Sequence, residues 1–572
     1  MTYLRISVLL LIFFSLLFLK PLYASSLTDS VETEKIAKNH NKTIENIFIE
    51  GIDVSGPSLE DGKNWQPGIF GRIGNSLHTK TKNWVISNYL LFNKGDKLNA
   101  WNINESERLL RKTGYFYDAR ISVEDPVGQD KVNLRVITKD KWTLNPQISY
   151  NPKNKNGYAG FKDKNFLGFG HMAEINVTHD EDTYIGWGFK SGYTISNIKG
   201  SFVDASVNLE SDHKSNMLQL NLTRPFFTIN TKWAGGLDFT WQHDDLRYID
   251  RNNKINLIPH SFDSQDLWAG RSFPVWFGKD EFRSNSSFIF SARYYRKHYR
   301  LRPPVSLDSN KIFENNRLYL FSFGFINREY FKSFFVDNFG VTEDIPVGGL
   351  ISLTTGSDER EFYNRWYYGM QIIYSALVDG AGYFSGDFEI GGYRRQNKWE
   401  QNVIRINLIY HSPLIYKDKW NARFFLENDY LLGFNRFAGE QIYLDQTSGM
   451  AGFNQLVTPG TKRNVLNLEA RIFSPYTVLG FVVGGITFVN LGLISRPDKN
   501  LLSSRFYQAY GFGLRTQNES ISETNFELAV VYNPYNPLYG KGNTEVIFSA
   551  SFVIGSRDFN FDKPKTIKFM DN

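Results

Sequence analysis

The chain has 572 residues, no cysteine, 16 % aromatic residues and a formal net charge of +6. Without cysteine there are no disulfides, thiolate metal sites, thiol nucleophiles or lipidated N-terminal cysteine. The positive charge is dispersed, which argues against nucleic acid as a partner. A mean hydropathy of −0.36 is too polar for a bundle of membrane helices but suits a transmembrane β-barrel, whose strands offer only alternate residues to lipid.

Residues 1–24 read as a secretory signal peptide. Arg5 precedes a largely apolar run over 6–19, and Ala24 stands at a small-residue cleavage position before Ser25. As a helix that run would span only about 21 Å, short of a ~30 Å hydrocarbon core. Removing Arg5 and Lys20 leaves a net charge of +4. Residues 25–42 are polar and lack a periodic apolar pattern, and are expected to form a flexible lead-in.

Residues 43–142 carry the pattern of a small α+β domain. A strand is predicted over 44–52, where Ile47 and Ile49 alternate with Phe48. A turn-rich stretch over 51–74 precedes a helix predicted over 79–92 from Val85, Ile86, Tyr89 and Leu90. Asn102, with Glu105 three residues on, Leu109 and Leu110 on one face and Gly114 as a stop, predicts a second helix. Strands follow over 119–123 and 131–137, giving the order β-α-α-β-β.

From 144 to 561 the periodicity is two. Trp187, Phe189 and Tyr193 share one face of a strand, Trp420, Phe424 and Leu426 another, and Phe548, Ala550 and Phe552 a third. Trp241 to Asp245 is read as a polar loop between strands rather than a cation site, and the basic-aromatic cluster at 294–300 as a headgroup belt or surface loop. No nucleophile, metal or phosphate-loop motif is apparent, so the reading is of a non-enzymatic protein without cofactor or metal.

Two groups of motifs carry a family resemblance. In the small domain they are Leu91-Phe92-Asn93-Lys94-Gly95-Asp96, Glu105-Ser106-Glu107-Arg108-Leu109-Leu110-Arg111 and Tyr115-Phe116-Tyr117-Asp118-Ala119. They are joined by 75–81 and 139–144. In the strand region they are Asn165-Phe166-Leu167-Gly168-Phe169-Gly170, Arg224-Pro225-Phe226-Phe227, the cluster Gly449-Met450-Ala451-Gly452-Phe453 with Gly460, and Tyr510-Gly511-Phe512-Gly513-Leu514-Arg515. In this order they resemble the BamA/TamA-type outer-membrane assembly factors, in a branch with a single polypeptide-transport-associated (POTRA) domain.

The resemblance implies a POTRA domain over 43–142, a barrel of about sixteen strands over 143–561 and a C-terminal tail over 562–572. It places the chain in the outer membrane with its N-terminal domain in the periplasm. The implied activity is insertion or translocation of polypeptides by strand augmentation, at the POTRA edge and at the seam between first and last barrel strands. The implied partners are outer-membrane lipids, unfolded client polypeptides and a periplasmic protein bound by the POTRA domain. A passive pore and a lipid-handling relative are the alternatives.

The implied sites follow. Residues 449–453 and Gly460 correspond to the plug loop, which in the family carries an arginine where Ala451 stands. That arginine pairs with inner-wall carboxylates, one in a Phe-x-Asp-x-Gly strand, but here the strand reads Phe488-Val489-Asn490-Leu491-Gly492. With both charges lost, the loop is expected to fold inward on packing and neutral hydrogen bonds. The alternation over 464–473 puts Leu466, Leu468, Ala470 and Ile472 toward lipid, and Asn467, Glu469 and Arg471 on the lumen wall. Gln147, Ser149, Ser549 and Ser551 mark the seam, and Phe559 and Phe561 an aromatic-x-aromatic ending of the last strand.

Overall fold

The computed structural model describes residues 30–56, 74–76, 78–124, 130–151, 155–180, 186–212, 215–249, 255–275, 285–304, 311, 313–437, 439–453, 458–478, 480–518, 525–549 and 557–570. The signal-peptide expectation and Ser551 lie outside them.

The N-terminal domain is a three-stranded sheet of order β1-β3-β2, built from β1 (Thr43–Ile52), β2 (Phe116–Val123) and β3 (Lys131–Asp140). Two helices cover it, α2 (Asn83–Ser87) and α3 (Ala100–Lys112). Ile44, Ile86, Leu98, Ile103, Leu110, Ile121 and Val136 form its buried core. The expected flexible lead-in is corrected: Ser30–Lys38 is a helix, α1. Its Ile36 enters the domain core, Lys35 and Lys38 sit in its last turn, and the Asn39 side chain donates to the Lys35 carbonyl at 2.8 Å. One buried isoleucine is too little periodicity to read from sequence.

The helix predicted over 79–92 is only the single turn of α2. Its flanks are tied elsewhere, with Thr81 bonded to Asp140 and the Leu91 N–H to the Ser106 hydroxyl. The cap of α3 is Asn99 rather than Asn102, its side chain accepting from the Trp101 N–H at 2.8 Å.

The rest of the chain is mainly one antiparallel sheet. It opens with six short strands, β4 (Leu144–Asn151), β5 (Asn156–Phe166), β6 (His171–Asp180), β7 (Gly186–Ile195), β8 (Asp204–Ser211) and β9 (Ser215–Arg224). Longer strands follow: β10 (Trp233–Ile249), β11 (Ile255–Val275), β12 (Ser286–Leu301), β13 (Asn316–Ser333) and β14 (Glu343–Arg360). Next come β15 (Asn364–Val378), β16 (Gly382–Arg395), β17 (Lys398–His411), the fragment β18 (Ile415–Lys417) and β19 (Trp420–Phe434). A loop holding the pair β20 (Ile442–Tyr443) and β21 (Pro459–Gly460) leads to β22 (Lys462–Val478), β23 (Phe481–Ser495), β24 (Phe506–Gln517), β25 (Asn525–Asn536) and β26 (Lys541–Ser549).

Among the described residues, and leaving β18 aside, twenty strands make up the closed barrel order, in which β26 stands beside β4. Twenty replaces the expected sixteen because β4 to β9 run only 8 to 11 residues each. Residues 241–245 are a second correction. They lie within β10, pairing with β11 throughout and with β9 as far as Asp244, so the strand continues through its polar stretch. Backbone pairing satisfies the ladder there whatever the side chains.

The alternation over β22 is as read from sequence. Arg463, Val465, Asn467, Glu469, Arg471 and Phe473 are buried on the inner face, while Leu468 and Ile472 are exposed outward.

Candidate functional site in the barrel lumen and at its mouth

The loop between β19 and β22 turns inward and lies on the inner wall of β22 to β25. Asp445 starts a short 3-10 turn with a reciprocal cap to Ser448, and Gly449, at φ 93°, ends it. Both Gly449 and Gly452 have positive φ, and a Cβ at either would strike a wall asparagine: Asn467 at the first, Asn533 at the second. Glycine is therefore required twice, by backbone conformation and by space.

Between these glycines the backbone is held by neutral donors and acceptors. The Ala451 N–H donates to Asn490 Oδ1 at 3.2 Å, and Asn490 Nδ2 donates to Asn467 Oδ1 at 2.9 Å. Asn533 Nδ2 donates to the Ala451 carbonyl and Asn536 Nδ2 to the Gly452 carbonyl, each at 3.0 Å. Met450 is fully buried among Leu444, Val465, Ile494 and Tyr507, and the Phe453 ring meets Tyr507 edge-on at 5.9 Å. Ala451 packs against Ile486, Phe488, Ala509, Ala529 and Val531. Gly460 pairs with Ile442, closing the base of the loop.

Glu469 and Arg471 belong to a second constellation, closed by the inward turn 334–342 between β13 and β14. Arg471 pairs with Glu469, donates to the Val336 carbonyl, lies 3.3 Å from Asp337 Oδ1 and covers the Phe425 ring at 3.8 Å. Arg515 pairs with Glu527 at 3.2 Å and donates to the Asp337 carbonyl at 2.6 Å. Glu343 accepts the N–H groups of Val336, Asp337 and Asn338, which folds the turn into a cradle. The lumen-wall charges of Glu469 and Arg471 are thus engaged with this turn. Asn533, Asn536, Asp337, Glu343, Arg515 and Glu527 were not anticipated; the segment Asn533-Pro534-Tyr535-Asn536 at the end of β25, whose two asparagines are buried, was the available signal for the first two.

The N-terminal domain is fastened to the same end of the barrel as that turn. Arg111 of α3 grips Asp344 with two bonds of 2.8 and 2.7 Å, Thr342 donates to Asp118 at 3.0 Å, and Lys332 meets Glu107 at 2.9 Å. Burial alone would depress the Arg111 guanidinium, yet Asp344, Glu107 and Asp118 hold it above its ordinary value. Arg108 donates to the Phe227 carbonyl at 2.9 Å. On the opposite side, Asp140 accepts from the Thr81 N–H at 2.8 Å and meets His78 at 3.0 Å, while Asn165 donates to the Thr81 hydroxyl at 2.8 Å. The motifs at 75–81, 139–144 and 165–170 therefore meet at one joint.

One expectation is changed at the C-terminus. Phe559 and Phe561 do not end a membrane strand: β26 is described to Ser549, and both rings are buried inside with Phe226, Ile289, Ile326 and Leu350. The reason is packing. An inner-wall pocket of apolar side chains takes the two rings, and Arg328 binds the Phe559 carbonyl. At the seam, Gln147 faces inward and accepts from Asn176 at 2.8 Å, whereas Ser149 is exposed and pairs with Tyr158 of β5. Ser549 pairs with Glu527 of β25.

A family model described as POTRA, surface antigen variable number repeat, matches residues 72–139. Among solved structures, the chain is similar to BamA from Haemophilus ducreyi lacking POTRA domains 1–3, at 14 % identity over 88 % of this chain and 84 % of that one, with a TM-score of 0.37. It is similar to CdiB from Acinetobacter baumannii at 10 % identity over 89 % and 73 %, with a TM-score of 0.41. CdiB from Escherichia coli matches at 9 % identity over 93 % and 92 %, with a TM-score of 0.36. No curated protein matches the chain. The class rests on the matched domain and the strand order: this is a POTRA domain followed by a β-barrel.

Proposed function

We propose that the protein resides in a bacterial outer membrane, with its POTRA domain in the periplasm, and that it inserts or translocates polypeptides. The observation that carries this reading is the pair of edges on the POTRA sheet. The β2 edge is closed by the domain's own helix, since Glu107 accepts from the Ile121 N–H at 2.7 Å and Arg111 donates to the Ala119 carbonyl at 2.9 Å. The first residues of β1 are covered by Asp96 and Leu98. Beyond them, over 46–52, no described segment pairs with the outer edge of β1, where Phe48 is 48 % exposed. An extended client can add there as a fourth strand, main-chain bonds giving affinity without demanding a sequence. Fixed to the barrel mouth, that edge delivers the client to the lumen or the seam.

The passive-pore alternative is less well supported, because three inserts occupy the lumen walls: the loop before β22, the turn 334–342 and the segment carrying Phe559 and Phe561. Depletion of the protein followed by quantitative outer-membrane proteomics tests the reading. Loss of a defined set of barrel or surface proteins is expected; an unchanged proteome contradicts it.

A further inference from the structure

Residues 557–570 return into the barrel and run along its inner wall from the POTRA end to the far end. At the near end Asp558 meets Lys112 of α3 at 3.0 Å and accepts from the Tyr330 hydroxyl at 2.7 Å. At the far end Phe569 is buried with Val403, Leu431 and Ile442, under the Arg436 guanidinium at 4.2 Å. Eleven residue steps reach at most about 36 Å, on the scale of a ~30 Å hydrocarbon layer.

The wall is shaped for this segment. Three of its glycines lie where a side chain would displace the tail: a Cβ at Gly324 would strike Phe561, one at Gly433 would strike Phe569, and one at Gly391 would come within 3.2 Å of Ile567. The wall also reads the tail's main chain. Arg328 donates to the Phe559 carbonyl at 2.6 Å, Arg293 donates to the Pro564 carbonyl at 3.0 Å, and the Ile567 N–H donates to the Tyr367 oxygen at 2.7 Å. Carboxylates take its cations, Lys563 on Asp266 and Arg557 on Glu427, both at 2.7 Å.

We propose that this wall is a binding track for an extended, aromatic-rich, net basic polypeptide, and that the chain's own C-terminal segment occupies it as a tethered competitor. Backbone contacts spaced along an extended chain tolerate many sequences, the glycine seats select large apolar side chains, and the carboxylates select positive charge. Tethering gives the tail a high effective concentration, so a client must be delivered at the barrel mouth to displace it. That the displacing ligand is a client rests on the proposed function; the track itself does not. Because Asp562, Lys563, Lys565 and Lys568 stay exposed, the tail narrows the lumen without sealing it.

The test is planar-bilayer conductance of the full chain against a chain lacking residues 557–572, with a synthetic peptide of those residues added from the POTRA side. Truncation is expected to raise conductance several-fold, and the peptide to restore the low state where a scrambled peptide does not. Unchanged conductance, or equal block by the scrambled peptide, overturns the proposal. A second measurement guards against misfolding of the truncated chain. With no native cysteine present, the full chain carrying Gly433→Cys and Phe569→Cys should cross-link on oxidation and stay in the low state until reduced. Failure to cross-link in the folded barrel also overturns it. Specific peptide block together with an unchanged proteome on depletion would support the track while removing the function proposed above.

Discussion

Asn467, Asn490, Asn533 and Asn536 form the neutral scaffold that binds the backbone of residues 449–453, directly or through one another. Each bond contributes about 1 kcal/mol, but deleting one partner strands a buried group at about 1–3 kcal/mol. Asn533→Ala is therefore expected to lower the temperature at which the folded barrel loses its heat-modifiable gel mobility. Asn536→Asp should do so at least as strongly, because it replaces the donating Nδ2 with a carboxylate oxygen that faces the Gly452 carbonyl in a buried site. Restoring an arginine at 451 should not restore an ionic latch. The space around Ala451 is filled by Ile486, Phe488, Ala509 and Ala529, so Ala451→Arg adds both volume and an unpaired charge. The same assay should show a large loss that Asn490→Asp fails to recover; full recovery would contradict this packing account.

Lys141, at the joint between β3 and β4, supplies a pH test. Burial first, and the nearby Lys164 charge second, lower its ammonium from 10.5 to about 8, against a smaller opposing pull from Asp118. Between those values the unfolded chain holds a proton that the folded joint has released. Stability of the joint therefore rises with pH from about 8 to 10.5. Protease resistance of the POTRA domain in the full chain should rise over that window, and Lys141→Gln should flatten the rise.

At the scale of elements, helix α3 does two jobs. Its inner face fills the POTRA core with Ile103 and Leu110, and its charged face closes the β2 edge and docks on the barrel. Arg111 is the centre of the second job, held between Asp344, Glu107 and Asp118. Removing it leaves three carboxylates together, a cost of about 3–5 kcal/mol for a buried pair broken on one side. Arg111→Ala should free the POTRA domain to limited proteolysis, and adding Asp344→Ala should recover part of the loss. An additive double mutant would show that the pair is not coupled.

The elements legible in the sequence were those with strong periodicity or a motif. Alternation at Leu466, Leu468 and Ile472 gave the correct outward face of β22, and Asn490 in place of an aspartate pointed to an uncharged loop contact. What could not be read was decided by distant partners. Nothing local shows that Asp337 would fold back onto Arg471, 134 residues away, or that the Thr81 hydroxyl would end a helix by bonding Asp140. The tail misled most, because Phe559-x-Phe561 has the pattern of a strand end, and only the pocket lined by Phe226, Ile289 and Leu350 shows that the rings point inward.

On the scale of the whole molecule, three inserts share one lumen. The plug loop lies on β22 to β25, the turn 334–342 closes the wall at the POTRA end, and the tail lies on β11 to β19. Plug and tail meet where Ile442 touches the Phe569 cluster. This contact gives a route by which displacing the tail would loosen the base of the loop, and Phe569→Ala should weaken both. Such coupling would appear as non-additive thermal losses for Phe569→Ala combined with Asn533→Ala, whereas independent inserts give additive losses.

The most direct test of the central claim, that this barrel handles extended polypeptides delivered by its POTRA edge, is photo-crosslinking in living cells from Phe48 on the free edge of β1. A probe at Ser87, on the short helix α2 away from that edge, serves as control. Outer-membrane or secreted polypeptides captured at Phe48 and not at Ser87 are the predicted result. A Phe48 probe that captures no polypeptide, in cells where the folded protein is abundant, would contradict it.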